Sequence, residues 1–243
     1  MSARRPFLTA EWRYLAMLNY EITPEVLTRF LPRGTELDTD GGKTYVSVVG
    51  FRFLSTRLLG WPIPFHGDFE ELNLRFYVRR IEGATVKRGV VFVREIVPRW
   101  AIARTARLAY NEPYVALPMG HRIELAPGTS DPLRVEYTWS AEPHVGRLMA
   151  RCEGDALPLI EGSHAQFIAE HYWGYAMQRD GGTVEYEVAH PPWRIWTVNG
   201  TEFNADVAEL YGREFVEVLK GKPASAFVAE GSAVTVFRPR RIE

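Results

Sequence analysis

The residues with the most chemical potential in this chain sit in one stretch, Phe69-Glu70-Glu71-Leu72-Asn73-Leu74-Arg75-Phe76-Tyr77-Val78. At the period of two of an extended backbone, Phe69, Glu71, Asn73, Arg75 and Tyr77 share one face, and Glu70, Leu72, Leu74, Phe76 and Val78 share the other. The second face is greasy, while the first carries an acid, an amide and a guanidinium in file. A carboxylate can move protons, an amide can orient a ligand, and a guanidinium can clamp a carboxylate through two hydrogen bonds. Such a file either faces water, as one side of many sheets does, or lines a cavity in which its groups must be satisfied. Downstream, Arg94-Glu95 interrupts the apolar run Val90-Val91-Phe92-Val93 before Ile96-Val97. Charges among such neighbours are expected to be paired or functional.

Other chemistries find less support. Six histidines are present, but His164 and His171 are seven apart with no HExxH pattern between them, so no bound metal is expected. No GxSxG, GxGxxG or P-loop pattern occurs, and Cys152-Glu153-Gly154 carries no signature of a catalytic thiol. No cofactor is implied. The seven tryptophans read as core and pocket wall rather than as a base-stacking platform.

The elements that must position these residues are mostly strands. Trp12 to Glu21 and Thr44 to Leu54 read as strands, the second apolar on both faces with Gly50 as a bulge or bend. Between them, Thr23-Pro24-Glu25 offers a cap, a first-turn proline and an acid at the positive end of the helix dipole, predicting a short helix from about Pro24 to Leu31. The opening stretch and Gly89 to Val97 form an antiparallel hairpin turning at Glu82-Gly83-Ala84. A near-helical spacing of apolar residues predicts a helix over Pro98 to Tyr110. Strands are expected at Pro113 to Met119, His121 to Leu125, Leu133 to Ser140 and Val145 to Cys152. Ser163-His164-Ala165-Gln166 resembles a capping box. Tyr172 to Met177 and Thr183 to Ala189 make another hairpin, Asn204 caps a helix over Ala205 to Leu210, and Ala224 to Val236 closes the chain. The sum is a single domain over residues 1–243, of α+β class, with a large, mostly antiparallel curled sheet or barrel and a few short helices.

Twenty-nine basic and 30 acidic residues leave a net charge of −1, so neither nucleic acid nor an anionic membrane surface is an expected partner. One cysteine rules out an internal disulfide and suits a reducing cytoplasm. With no run of 18 apolar residues, the expectation is a soluble, cytoplasmic protein.

Several segments together carry a resemblance over nearly the whole chain: Trp12-Arg13-Tyr14-Leu15, the Thr23-Pro24-Glu25-Val26-Leu27 helix start, Glu71-Leu72-Asn73-Leu74-Arg75, Arg88-Gly89-Val90-Val91-Phe92 and His190-Pro191-Pro192-Trp193. They look like the YqjF-like family of uncharacterised proteins, itself similar in fold to acetoacetate decarboxylase, a β-rich cone-shaped barrel with its site inside. The likeness implies that Arg13 matches an arginine near the start of the decarboxylase domain, Glu71 its active-site glutamate, and Val93-Arg94-Glu95 its Gly-Arg-Glu signature. In the decarboxylase a lysine pair follows and forms a Schiff base with the keto acid. Here the segment is Val97-Pro98-Arg99-Trp100-Ala101-Ile102-Ala103-Arg104, with no lysine. Arginine cannot lose its proton near neutral pH to serve as that nucleophile. Lys43, Lys87, Lys220 and Lys222, the four lysines of the chain, all read as solvated.

The expectation is therefore a lysine-free interior pocket for a small carboxylate- or carbonyl-bearing ligand. Arg13, Arg75 and Arg94 are its candidate anion or carbonyl contacts, Glu71 and Glu95 its candidate acid/base groups, and Asn73 and Tyr110 its orienting groups. Two alternatives accompany it: an acid/base enzyme acting on a keto or enol substrate, and a non-catalytic scaffold for self-association or for a protein partner.

Overall fold

The structure is a computed structural model that describes residues 5–63, 67–98, 111 and 113–242. Seven of its strands form a ring: β1 (Pro6–Ile22), β3 (Thr44–Leu58), β5 (Phe69–Glu82), β6 (Thr85–Val97), β11 (Trp173–Met177), β12 (Thr183–Ala189) and β14 (Ser225–Phe237). Hydrogen bonding runs in the order β12-β11-β6-β5-β3-β1-β14, and the pairs Val188↔Val236 and Ala189↔Thr235 join β12 to β14 and close it. All of these junctions are antiparallel except β6–β11. From β14 the sheet continues outward through β13 (Arg194–Asn204), β10 (His144–Pro158), β9 (Pro132–Ala141) and β8 (Met119–Leu125), a wing that folds back over the ring. Four short strands add to the edges: β2 (Glu36–Leu37), β4 (Trp61–Pro62), β7 (Tyr114–Ala116) and β15 (Arg240–Ile242). The α-helices are brief: α1 (Pro24–Leu27), α2 (His164–Ala169), α3 (Val207–Leu210) and α4 (Val216–Lys220).

Local signals account for much of this. Pro24 opens α1 where its missing N–H costs nothing, and a 3₁₀ turn over Thr28–Phe30 extends it. Ser163 caps α2, its side chain accepting from the Gln166 amide. Asp206, rather than Asn204, caps α3, because Asn204 is still the last residue of β13. That strand and α4 have no counterpart in the sequence expectations. Gly200 pairs with Arg151 within the ladder. The stretch Pro113 to Met119 divides into β7 and the start of β8. Beyond Pro98, the helix expected over Pro98 to Tyr110 falls on positions outside the described residues.

Two large apolar cores result, beside a small cluster around Tyr186 and Val188. The outer one lies between ring and wing and holds Leu72, Leu74, Phe76 and Val78 of β5 with Val135, Tyr137, Trp139 and Leu148 of the wing. Gly50 makes this docking close. A Cβ there would come within 2.6 Å of the Tyr137 ring and 2.7 Å of Leu148, so Gly50 is a point of close approach, and the register shift beside it is carried by β1. The inner core lies within the ring and holds Leu15, Met17, Val49, Phe51, Phe53, Phe69 and Tyr77, closed by Phe167, Ile168 and Ala169 of α2. β5 thus feeds both cores, alternate side chains going to opposite sides.

Candidate active site

Within the ring is a cavity of about 220 Å³. Glu71, Asn73 and Arg75, three successive inward positions of β5, line it, and their exposures are 3%, 2% and 9%. Glu95, 1% exposed, reaches it from β6, where it is the register partner of Asn73 and of Tyr114 on β7. Tyr114 and His171 add to the polar lining.

A β-bulge decides which member of the Arg94-Glu95 pair enters. Leu74 pairs with Arg94 but Arg75 pairs with Phe92, so Val93 is the extra residue. Phe92 and Glu95 then line the cavity while Val93 joins the outer core. Arg94 turns outward with it, its Nε donating to the Leu210 carbonyl at 2.9 Å. Arg13 also stays outside. It follows the cavity-lining Trp12 and pairs with Glu11 at 2.9 Å. A second bulge, at Tyr14 with φ 54°, then returns Leu15 to the interior, and the Tyr137 hydroxyl holds it by donating to the Tyr14 carbonyl at 2.8 Å. Tyr110 is outside the described residues. Of the seven candidates, the cavity gathers Glu71, Glu95, Asn73 and Arg75.

Glu71 is held from two sides. Asn73 Nδ2 donates to its Oε1 at 3.1 Å and the Tyr114 hydroxyl to its Oε2 at 3.3 Å. Arg75 is held more loosely, its Nη2 donating to the Ile168 carbonyl at 3.3 Å and lying 3.9 Å from Met17 Sδ. No carboxylate of the described residues ion-pairs with it, and its Nε has no hydrogen-bond partner. Asn73 Oδ1 and Trp12 Nε1 are likewise buried without a partner. The neighbouring interior polar groups differ. Asn19 Nδ2 donates to Ser225 Oγ at 2.9 Å, Ser47 Oγ donates to Asn19 Oδ1 at 2.6 Å, and Ser47 Oγ meets the Tyr77 hydroxyl at 2.5 Å.

His171, just beyond α2, packs its ring 4.7 Å from that of Tyr77. Its Nε2 lies 3.5 Å from Asp38 Oδ2, which accepts from Arg88 Nε at 2.6 Å. Burial pushes the imidazole down to about 4, with the Arg88 and Arg75 charges adding to it and Asp38 opposing, so the ring is neutral at pH 7. Asp38 is itself pushed up by burial, but His171 and Arg88 outweigh this and hold its carboxyl below the usual range. Neither ring nitrogen of His171 makes a hydrogen bond.

The rest of the wall is aromatic and aliphatic, with Leu15, Val49 and Val90 among the aliphatic residues. Trp12 meets Phe51 and Phe53 edge-on at 5.2 and 5.6 Å, and Phe53 stacks on Phe69 at 4.6 Å. Lys87 corrects an expectation: it is buried rather than solvated, 7% exposed. Its ammonium pairs with Glu185 at 3.1 Å and with Glu82, and sits 4.3 Å from the Trp173 ring centre. All four lysines are among the described residues and none lines the cavity. Cys152 is buried against the wing and its thiol pushed up to about 12 by that burial, which leaves no thiolate for catalysis. Among the described residues no three His, Cys, Asp or Glu side chains come together as a metal site, and no helix is long and apolar enough to cross a membrane.

Sequence reasoning missed Tyr114 and His171 as site residues. Tyr114 reads as one more strand aromatic, and no signal separates it from core. His171 has one, a histidine set between Phe167-Ile168-Ala169 and Tyr172-Trp173 just past a capped helix, where burial is the natural outcome.

Comparison with solved structures supports the fold. Acetoacetate decarboxylase from Legionella pneumophila superposes with a TM-score of 0.66 at 13% identity, covering 98% of this chain and 87% of that one. The enduracididine biosynthesis enzyme MppR, complexed with pyruvate, gives 0.66 at 13% identity over 100% and 92%. An acetoacetate decarboxylase-like enzyme from Sphingomonas wittichii RW1 gives 0.65 at 14% identity over 98% and 94%. No curated protein sequence matches the chain. The model of DUF2071, described as an uncharacterized conserved protein, matches residues 9–233, and the chain belongs to that family.

Proposed function

We propose that the interior cavity binds a small carboxylate- or carbonyl-bearing ligand, with Arg75 as its anion contact, and that turnover at this site runs by acid–base chemistry of Glu71 and Glu95 without a lysine. One observation carries the reading. Arg75 is 9% exposed on the cavity wall and no carboxylate of the described residues pairs with it. An unpaired buried guanidinium is costly, and a ligand carboxylate would supply the missing counter-charge. Glu71, oriented by Asn73 and Tyr114, stands two positions along the same strand, where it can accept a proton from carbon next to a ligand carbonyl. The solved relatives are consistent in chemistry, since one is named for a keto-acid reaction and another was crystallised with pyruvate. A Schiff base is not part of the proposal, because none of the lysines reaches the cavity.

Titration with pyruvate and acetoacetate, followed by calorimetry, tests the binding step. Saturable binding that falls at least tenfold in Arg75→Met is expected, and equal affinity of the variant would overturn the anion role. Deuterium exchange at the carbon next to the ligand's ketone, followed by NMR, tests the chemistry. Exchange should collapse in Glu71→Gln or Glu95→Gln, and no exchange across a keto-acid panel would sink the acid–base reading. Borohydride added with acetoacetate should leave the protein mass unchanged; an adduct would establish a covalent amine route instead.

A further inference from the structure

We infer that the ligand is an apolar-tailed carboxylate carrying a hydroxyl or enol beside its carboxylate, rather than a bare short keto acid; this rests on the anion reading of Arg75 given above. The unpartnered atoms specify the head group. Arg75 Nε is a donor and needs an acceptor. Asn73 is fixed in orientation, because its Nδ2 faces the acceptor-only carboxylate of Glu71, so the unpartnered atom is the carbonyl Oδ1 and needs a donor. His171 is neutral, and the Asp38 carboxylate 3.5 Å from its Nε2 favours the proton on that nitrogen, which makes Nδ1 a second acceptor without a donor. A carboxylate alone satisfies Arg75 and leaves both acceptors empty. A carboxylate with an adjacent hydroxyl or enol supplies both kinds of group, its one O–H donating to Asn73 Oδ1.

The tail follows from the strand. Inward side chains of β5 run Arg75, Asn73, Glu71, Phe69, and at about 3.3 Å per residue the two ends are roughly 20 Å apart along the backbone. At the far end Phe69, Phe53, Phe51 and Trp12 form an aromatic wall whose one unpartnered polar atom is Trp12 Nε1. That end of the cavity is apolar, and an aryl or branched alkyl tail fits it.

Four probes test this on the unmodified protein by calorimetry: 3-phenyllactate, 3-phenylpropanoate lacking the hydroxyl, lactate lacking the tail, and 3-phenylpropan-1-ol lacking the carboxylate. Phenyllactate should bind about tenfold tighter than phenylpropanoate and about a hundredfold tighter than lactate. In Asn73→Leu the advantage over phenylpropanoate should disappear while phenylpropanoate still binds. Lactate matching phenyllactate would overturn the tail, and phenylpropanoate matching it would overturn the hydroxyl. If carboxylates bind with neither preference, this inference fails and the anion reading survives. If no carboxylate binds, or the alcohol binds as well as the acids, both fail together.

Discussion

The inner and outer cores are built from the same strands and are buried to the same degree, yet they differ in kind. On β5 the outward Leu72, Leu74, Phe76 and Val78 are all 0% exposed, and the inward Glu71 and Asn73 are 3% and 2%. The outer set needs nothing beyond itself, being aliphatic and aromatic surface closed by the wing. The inner set includes an unpaired cation and amide and imidazole atoms without partners. Equal burial with unequal satisfaction separates a layer whose groups satisfy one another by packing from one in which buried polar atoms lack partners.

Four measurements break or sharpen this contrast. The largest effect belongs to the outer core, where Phe76→Ala should cost about 4 kcal/mol in denaturant unfolding by leaving a void in a closed layer; a loss under about 1 kcal/mol would mean that the wing is not packed as described. Next comes the pH dependence of the inner region. The folded pKa of His171 lies near 4, below its unfolded value of about 6.5, so the unfolded chain binds the extra proton first. The stability is fully present above pH 6.5 and is lost as pH falls from there toward 4, on the order of 3 kcal/mol in all. His171→Phe should flatten the stability–pH curve in that window, and an unchanged slope would place the titration elsewhere. A smaller effect, about 1 kcal/mol, is expected for Ser163→Ala, which removes the cap of the helix that closes the inner core; a melt indistinguishable from the parent would discount that cap. Smallest of all is Arg75→Met. Replacing a lone buried cation by an apolar group of similar length should leave stability within about 1 kcal/mol or raise it, and a loss of several kcal/mol would mean that Arg75 holds the fold together.

Much of the fold could be read from the sequence because strong local signals agree with the tertiary result. The alternation of β5, the Glu82-Gly83 turn, the Pro24 helix start and the Ser163 cap each state a preference that packing then uses. β13 was not legible, since its half-exposed, turn-like sequence is a strand by virtue of neighbours on both sides. The site divides similarly. Glu71, Asn73 and Arg75 follow from a period of two, but the sorting of Arg94 from Glu95 depends on a bulge, and a one-residue insertion in pairing leaves no mark in composition. Lys87 shows the same limit. Its burial is set by Glu185, 98 positions away, with which it pairs across the fold.

The closure between β12 and β14 gives that alternation its meaning. Two residue pairs, Val188↔Val236 and Ala189↔Thr235, turn a ribbon into an enclosure. Without this latch the same strands would be an open, two-faced sheet, wet on the side of Glu71 and Arg75. Whether this polar file is surface decoration or a chamber wall is thus settled more than a hundred residues further along the chain.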